Sequence, residues 1–300
     1  MCRNSQNETD ACQRRFTRNP LWKHLLLIAS LLCSVCAAAS VQKLGPDLYA
    51  YISDNDASSN STFLVSDKGV LVVDTGLNRE EGRKLLAEIR RVSSAPVRWI
   101  VNTHYHQDHR GGNDVVGPDA TIISTAYTRK RVKAAAPEQY SLNAVEDKKL
   151  TLYVGGHPVE IHHPGPAHTL GDLVVFFPDQ HTIATGDLFL ANSCPAMDEG
   201  DMENWIEALD AMLKLPLAHV VPGHFELSTE KELRRFRDYL IALRDQVKVM
   251  YRKGLSIQEV KQRISLPQFK DFRQFPKYEA TFGDDAEVYY NQLKQRAHVP

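Results

Sequence analysis

Thr103-His104-Tyr105-His106-Gln107-Asp108-His109 places three imidazoles and a carboxylate within six residues, directly after the apolar run Val97–Val101. A β-branched, apolar run of that length reads as a strand, so the histidine segment reads as a loop at the edge of a sheet. On extended backbone alternate side chains share a face, and His104 and His106 can aim their rings the same way. Asp108 and His109, one turn further on, can serve a neighbouring point, and Gly111-Gly112 lets the chain bend away afterwards. Neutral imidazole and carboxylate are the donors that suit Zn²⁺, with Fe and Mn as further candidates. A solvated polar loop has no reason to concentrate four such groups.

Three later positions repeat the pattern of an apolar run followed by a glycine-containing turn. They are His168 in Pro164-Gly165-Pro166-Ala167-His168, Asp187 in Thr185-Gly186-Asp187, and His224 in Val221-Pro222-Gly223-His224. All three can therefore converge with the first segment on one rim. Between these turns the chain alternates strand-like and helix-like stretches. Leu48–Ile52, Thr62–Val65, Val70–Asp74, Val97–Val101 and Thr121–Ile123 read as strands in the first half. Leu150–Val154, Val159–His162, Leu173–Phe177, Thr182–Ala184 and His219–Val221 do so in the second. Helices are expected over 78–91, 112–116, 125–135 and 202–215, the last with a core-facing stripe of Met202, Trp205, Ile206, Leu209, Met212 and Leu213. Beyond His224 the texture is helical. Thr229 with Glu232 and Ser256 with Glu259 form capping-box patterns, and 285–296 reads as a last helix. This is an α/β (α+β) pattern of two strand-rich halves with helices on their outer faces.

Composition narrows the function. Among 300 residues, 36 basic side chains balance 37 acidic ones, which argues against a nucleic-acid partner. A small-molecule substrate is the expected partner. The first forty residues stand apart: Arg14, Arg15, Arg18 and Lys23 precede the apolar stretch 25–39, which ends in Ala37-Ala38-Ala39-Ser40. That is the layout of a secretory signal, so the protein is expected to be exported, periplasmic or secreted, and to meet a membrane only through this leader or an uncleaved anchor. Four of the five cysteines lie in it, leaving Cys194 as a single mature thiol that reads as inert. The expected organisation is a leader over 1–40, a catalytic domain over 41–227, and a helical extension over 228–300 packed on the same domain. His162 and His163 read as strand-end residues, and Asp198-Glu199-Gly200-Asp201 as a helix lead-in.

The set of Thr103 to His109, with Val73-Asp74-Thr75-Gly76 before it and His168, Asp187 and His224 after it, resembles the metallo-β-lactamase superfamily over roughly residues 45 to 225. The resemblance implies a four-layer αββα sandwich with a metal site at one edge. It implies that His104, His106 and His168 hold one cation, that Asp108, His109 and His224 hold a second, and that Asp187 bridges the two. Asp74 would orient the ligand loop by hydrogen bonds. Seven ligands exceed what one tetrahedral site uses, so two Zn²⁺ ions are expected, with Asp108 also in a catalytic role. Such a pair, about 3.5–4 Å apart, lowers the pKa of bound water from 15.7 to roughly 7.

The resulting expectation is a dinuclear metal hydrolase acting on an ester, thioester or lactone carbonyl. A bridging aspartate at the position of Asp187 and the Pro222-Gly223-His224 form of the last motif resemble hydroxyacylglutathione hydrolases and lactonases more than β-lactamases. Export favours the alternative of a β-lactam hydrolase. An iron-containing sulfur or oxygen oxidoreductase of the same fold is a further alternative, and a non-catalytic binding protein is disfavoured by the complete ligand set.

Overall fold

The computed structural model describes residues 39–135, 143–145, 148–197 and 199–297, all within one compact unit, Ala37–Pro300. Residues 1–38 of the expected leader, and Asp198, lie outside the described residues; Ser40 opens the first strand. No described helix is long and apolar enough to cross a membrane.

Two sheets form the centre. The first runs in chain order, β1 (Ser40–Lys43), β2 (Leu48–Ile52), β3 (Ser61–Ser66), β4 (Gly69–Val73), β5 (Val97–Val101), β6 (Thr121–Thr125) and β7 (Asn143–Val145). Its pairs are antiparallel up to β4 and parallel from β4 onward. The second sheet has β8 (Lys149–Val154) at one edge, followed by β9 (His157–His162), β10 (Val174–Phe177), β11 (Thr182–Ala184) and β12 (His219–Val221). Here only β11 and β12 are parallel.

Alternation along the strands assigns each sheet two apolar faces. Leu48, Leu64, Leu71, Val73 and Val101 meet Val159, Ile161, Val175, Phe177 and Val221 between the sheets. Phe63, Val70, Val72 and Ile100 on the outer face of the first sheet meet Leu85 and Ile89 of α1 (Arg79–Val92). Val174, Phe176, Ile183 and Val220 on the outer face of the second sheet meet Trp205 and Leu209 of α5 (Met202–Met212) and Leu233, Phe236 and Leu240 of α6 (Glu230–Arg252). The layers are therefore helix, sheet, sheet, helix, as the resemblance implied.

Local signals fix the helix ends. Asn78 caps α1 by accepting from the backbone of Glu80 and Glu81. Thr229 with Glu232 and Ser256 with Glu259 make complete capping boxes at α6 and α7 (Ile257–Arg263). Helix α5 stops at Met212, three residues short of the expected end. The last helix, α8 (Phe282–Ala297), starts three residues earlier than expected.

Helices α6 and α8 bring together one unusual buried pair. The Asp285 carboxylate is fully buried, accepts from the Tyr239 hydroxyl, and leaves Oδ1 without a partner. Burial, followed by the neighbouring Asp284 charge, raises its pKa well above the ordinary 3.8. The folded chain thus binds this proton more tightly than the unfolded chain. The stability it contributes is full below about pH 4 and is lost as pH climbs towards the raised folded value. Asp285→Asn, which stays neutral, is expected to melt above the native protein at pH 8 and to lose that advantage near pH 4. Melting curves that stay parallel across this range would contradict the assignment.

Candidate metal centre

Parallel pairing brings the carboxyl ends of β4 and β5, and of β11 and β12, to the same edge. From those four ends come Asp74, the Thr103–His109 segment, Asp187 and His224, and the turn after β9 adds His168. The segment after β5 bends over Thr103–Tyr105, is extended at His106 and then forms a short helix, α2 (Gln107–Arg110), which turns Asp108 and His109 toward a second point. Gly111 and Gly112 serve this bend by close approach. Their φ values, −64° and −98°, are open to any residue, but a Cβ would fall 1.9 Å from the Leu77 carbonyl oxygen or 2.3 Å from that of Thr75.

The seven side chains gather as two groups that share Asp187. His104, His106, His168 and Asp187 form one, and Asp108, His109, His224 and Asp187 the other; in each, the donor atoms lie within 4.8 Å of one another. His104 Nε2 lies 3.0 Å from His106 Nδ1, which lies 3.1 Å from His168 Nε2. In the second group His224 Nε2 lies 3.1 Å from Asp108 Oδ2, and His109 Nε2 lies 3.5 Å from the same oxygen. Donors about 2.1 Å from a common centre stand roughly 3.4 Å apart in a tetrahedron, so this spacing is that of a ligand shell. Asp187 splits its oxygens: Oδ1 is 3.2 Å from His109 Nε2 and 3.6 Å from His224 Nε2, while Oδ2 is 3.6 Å from His168 Nε2 and 3.9 Å from His104 Nε2.

Buried polar atoms are normally paired. His109 Nε2 and Asp187 Oδ1 are buried with no hydrogen-bond partner among the described residues, and both face the interior of the second group. A Cβ at residue 223 would stand 2.0 Å from Asp187 Oδ1, so glycine there lets the carboxylate reach its place. Two orphaned donors inside an all-imidazole and carboxylate shell fit a divalent cation.

The electrostatics point the same way. Burial opposes charge on His109, but Asp187, Asp108 and Asp74 outweigh it and hold the pKa well above 6.5. His224 is likewise raised, by Asp187 and Asp108 against burial. Burial opposes the ionised form of Asp187 too, but His109 and His224 keep its pKa well below 3.8. His104 is the contrary case: burial, then the neighbouring His109 and His106, drive its pKa well below 6.5, so its ring is neutral. A cation must displace the protons of the second group and finds a free lone pair in the first.

Three of the five rings are also held from behind. His109 Nδ1 lies 2.8 Å from Asp74 Oδ2, whose carboxylate accepts as well from the Thr103 backbone N–H at 2.9 Å and from the Thr103 hydroxyl at 2.7 Å. Asp74 sits at φ 57°, the left-handed conformation that aspartate tolerates better than most residues. His168 Nδ1 is held by the Ala196 carbonyl at 3.0 Å and His224 Nδ1 by that of Asp56 at 3.2 Å. Sequence reasoning missed the last two because a backbone carbonyl carries no residue signature. Asp74→Asn is expected to weaken cation binding about 10–100-fold, the usual effect of losing such a support. A chelator-competition titration unchanged by the substitution would contradict this.

Other singled-out residues stand elsewhere. His163 Nδ1 bonds the Asp172 carbonyl and His162 pairs with Glu160. Cys194 is buried, and burial raises its thiol pKa beyond reach of neutral pH. Asp201 caps α5, the lead-in role expected for it.

Comparison with known proteins agrees with this fold. The metallo-β-lactamase superfamily model matches residues 54–224. A type 2 metallo-β-lactamase of Elizabethkingia meningoseptica is 23% identical over 212 residues, spanning 67% of this chain and 84% of that protein. Among solved structures, a metallo-β-lactamase from Pontibacter korlensis superposes with a TM-score of 0.60 at 23% identity, over 67% of this chain and 98% of that one. The stereoselective inverting sec-alkylsulfatase Pisa1 from Pseudomonas sp. gives a TM-score of 0.68 at 17% identity, over 85% of this chain but half of its own.

Proposed function

The chain belongs to the metallo-β-lactamase superfamily, and from that premise we propose that it is a dinuclear, zinc-dependent hydrolase of an ester, thioester or lactone carbonyl. The observation that carries this reading is the pair of ligand groups sharing Asp187. His104, His106 and His168 would hold one cation, Asp108, His109 and His224 the other, with Asp187 common to both. Cations held there supply Lewis acidity and water acidified to a pKa of about 7.

The remaining work falls to side chains of this protein. His104, His109 and His168 are buried, whereas His106 and Asp108 are half-buried, so the open side of the centre is theirs. Asp108 is the carboxylate on that side. Burial opposes its charge, but His109 and His224 outweigh this and keep it ionised. It would orient the attacking water and accept its proton on a carboxylate oxygen. Asp74 keeps the His109 ring directed at the second group while charge builds up there. Neither serine nor cysteine is required as nucleophile, and Cys194, buried beside Tyr239, stands apart from the ligand groups.

β-Lactam hydrolysis is the second reading, favoured by the Elizabethkingia relative. Metal analysis of protein purified without added metal, read beside thioester, lactone and β-lactam substrates, tests both. Zinc with turnover of the thioester or lactone supports the first reading. A chromogenic cephalosporin hydrolysed at a comparable rate favours the second. Iron with oxygen consumption would overturn both. Export to the periplasm or medium remains part of the proposal and is tested by fractionating cells that express the full chain.

A further inference from the structure

One guanidinium at the rim touches the supports of two ligand histidines. Arg131 of α4 (Ala126–Ala135) donates from Nη2 to the Tyr105 hydroxyl at 2.9 Å and from Nη1 to the Tyr127 hydroxyl at 3.0 Å and Glu199 Oε1 at 2.5 Å. Tyr127 in turn donates to Glu199 Oε2 at 2.9 Å. The guanidinium carbon also lies 4.2 Å from the centre of the Tyr105 ring. Tyr105 sits between two ligands in the chain, and its ring packs edge-on against that of His106, with centroids 4.5 Å apart.

Glu199 leads to the other histidine. The stretch around it clasps the turn bearing His168 from both sides: the Ala196 carbonyl accepts from His168 Nδ1 at 3.0 Å, and the Asp201 backbone N–H donates to the Ala167 carbonyl at 3.0 Å. Arg131 therefore ties the backing of His106, through Tyr105, to the backing of His168, through Glu199. Its path to the second group is less direct: the Tyr105 carbonyl accepts from Arg110 Nε on α2 at 2.8 Å, while the rings of that group are held by Asp74 and by the Asp56 carbonyl.

We propose that Arg131 is a positioning residue for the first cation site, fixing the relative placement of His106 and His168 through Tyr105 and Glu199. The inference rests on the two-cation reading given above. A planar fork fixes the directions of its three acceptors and stacks on the Tyr105 ring; an ammonium on a flexible stem has three donors but fixes neither. As an exposed side chain, Arg131 contributes little to global stability through its ion pair, so its loss should be felt at the metal and not in the melting temperature.

The test is Zn²⁺ titration of the full chain against a chromophoric chelator, with melting curves alongside. Arg131→Met and Arg131→Lys should each weaken one of two binding steps about 10–100-fold, the range for supports of metal ligands, and leave the other step and the melting temperature of the metal-free protein unchanged. Glu199→Gln should act in the same direction. Combination assigns the affected step: added to His168→Ala, which removes the first site, Arg131→Met should have no further effect, whereas added to His224→Ala it should still weaken the remaining cation. Native affinity for both cations in Arg131→Met, or equal weakening of both, would overturn the inference while leaving two cations in place. A native protein that binds fewer than two would overturn the two-cation reading itself, and the inference with it.

Discussion

Replacing Asp108 or His106 with alanine is expected to lower turnover by on the order of 10²–10⁴-fold, the range lost with a positioned proton-transfer group, while the chain stays folded. In the proposed reaction Asp108 combines two duties, donor to the second group and acceptor for the proton of the attacking water, and it is the half-buried carboxylate of the two groups. Asp187, the other carboxylate in the groups, is buried with its two oxygens facing four imidazoles. His106 is the central donor of the first group, within 3.1 Å of both its partners. Neither belongs to the three apolar clusters that hold the layers together, so neither loss opens a cavity in the core. Steady-state kinetics beside circular dichroism check both halves of the statement. Normal turnover by either variant would refute its role, and an unfolded variant would refute the separation of site from core.

Removing the carboxylate of Asp187 is expected to empty the second cation position well before the first. Its Oδ1 faces His109 and His224 more closely than its Oδ2 faces His104 and His168. Without it the first group keeps three imidazoles, a sufficient set for zinc. The second keeps two imidazoles and the half-exposed Asp108, and those rings lose the main source of their raised pKa. The rings then release their protons more readily, but the cation there keeps a single carboxylate, Asp108, to offset its charge. Elemental analysis of Asp187→Ala after dialysis should give close to one zinc per chain. Two per chain would show that Asp187 is not shared.

Much of this architecture could be read from the chain because apolar periodicity and turn chemistry agree over long stretches. The strands Leu48–Ile52, Val97–Val101, Thr182–Ala184 and His219–Val221 have the bounds expected of them, and the capping boxes at Thr229 and Ser256 form as written. The edge strands β1 and β7 were not anticipated. Ser40-Val41-Gln42-Lys43 is short and mostly polar, and its strand state comes from pairing with Leu48–Ile52 rather than from its own composition.

At the metal centre the donor side chains announce themselves by type and spacing, since few structural roles need histidine and aspartate at strand ends. What holds those donors does not. The carbonyls of Ala196 and Asp56 and the close approach of Gly111 to Leu77 are properties of backbone path. Arg131 reads in sequence as one more surface cation on a charged helix. Only the fold brings it to Tyr105 and to Glu199, 68 residues further along the chain. Cys194, which reads as inert in sequence, is buried, yet the buried Tyr239 and Asp285 beside it gave no sign there.

The proposed function requires two divalent cations side by side with Asp187 between them. Anomalous diffraction from crystals loaded with zinc tests it directly. Two peaks are expected about 3.5–4 Å apart, one ringed by His104, His106 and His168, the other by Asp108, His109 and His224. A single peak, or a pair bound away from these seven side chains, would contradict it.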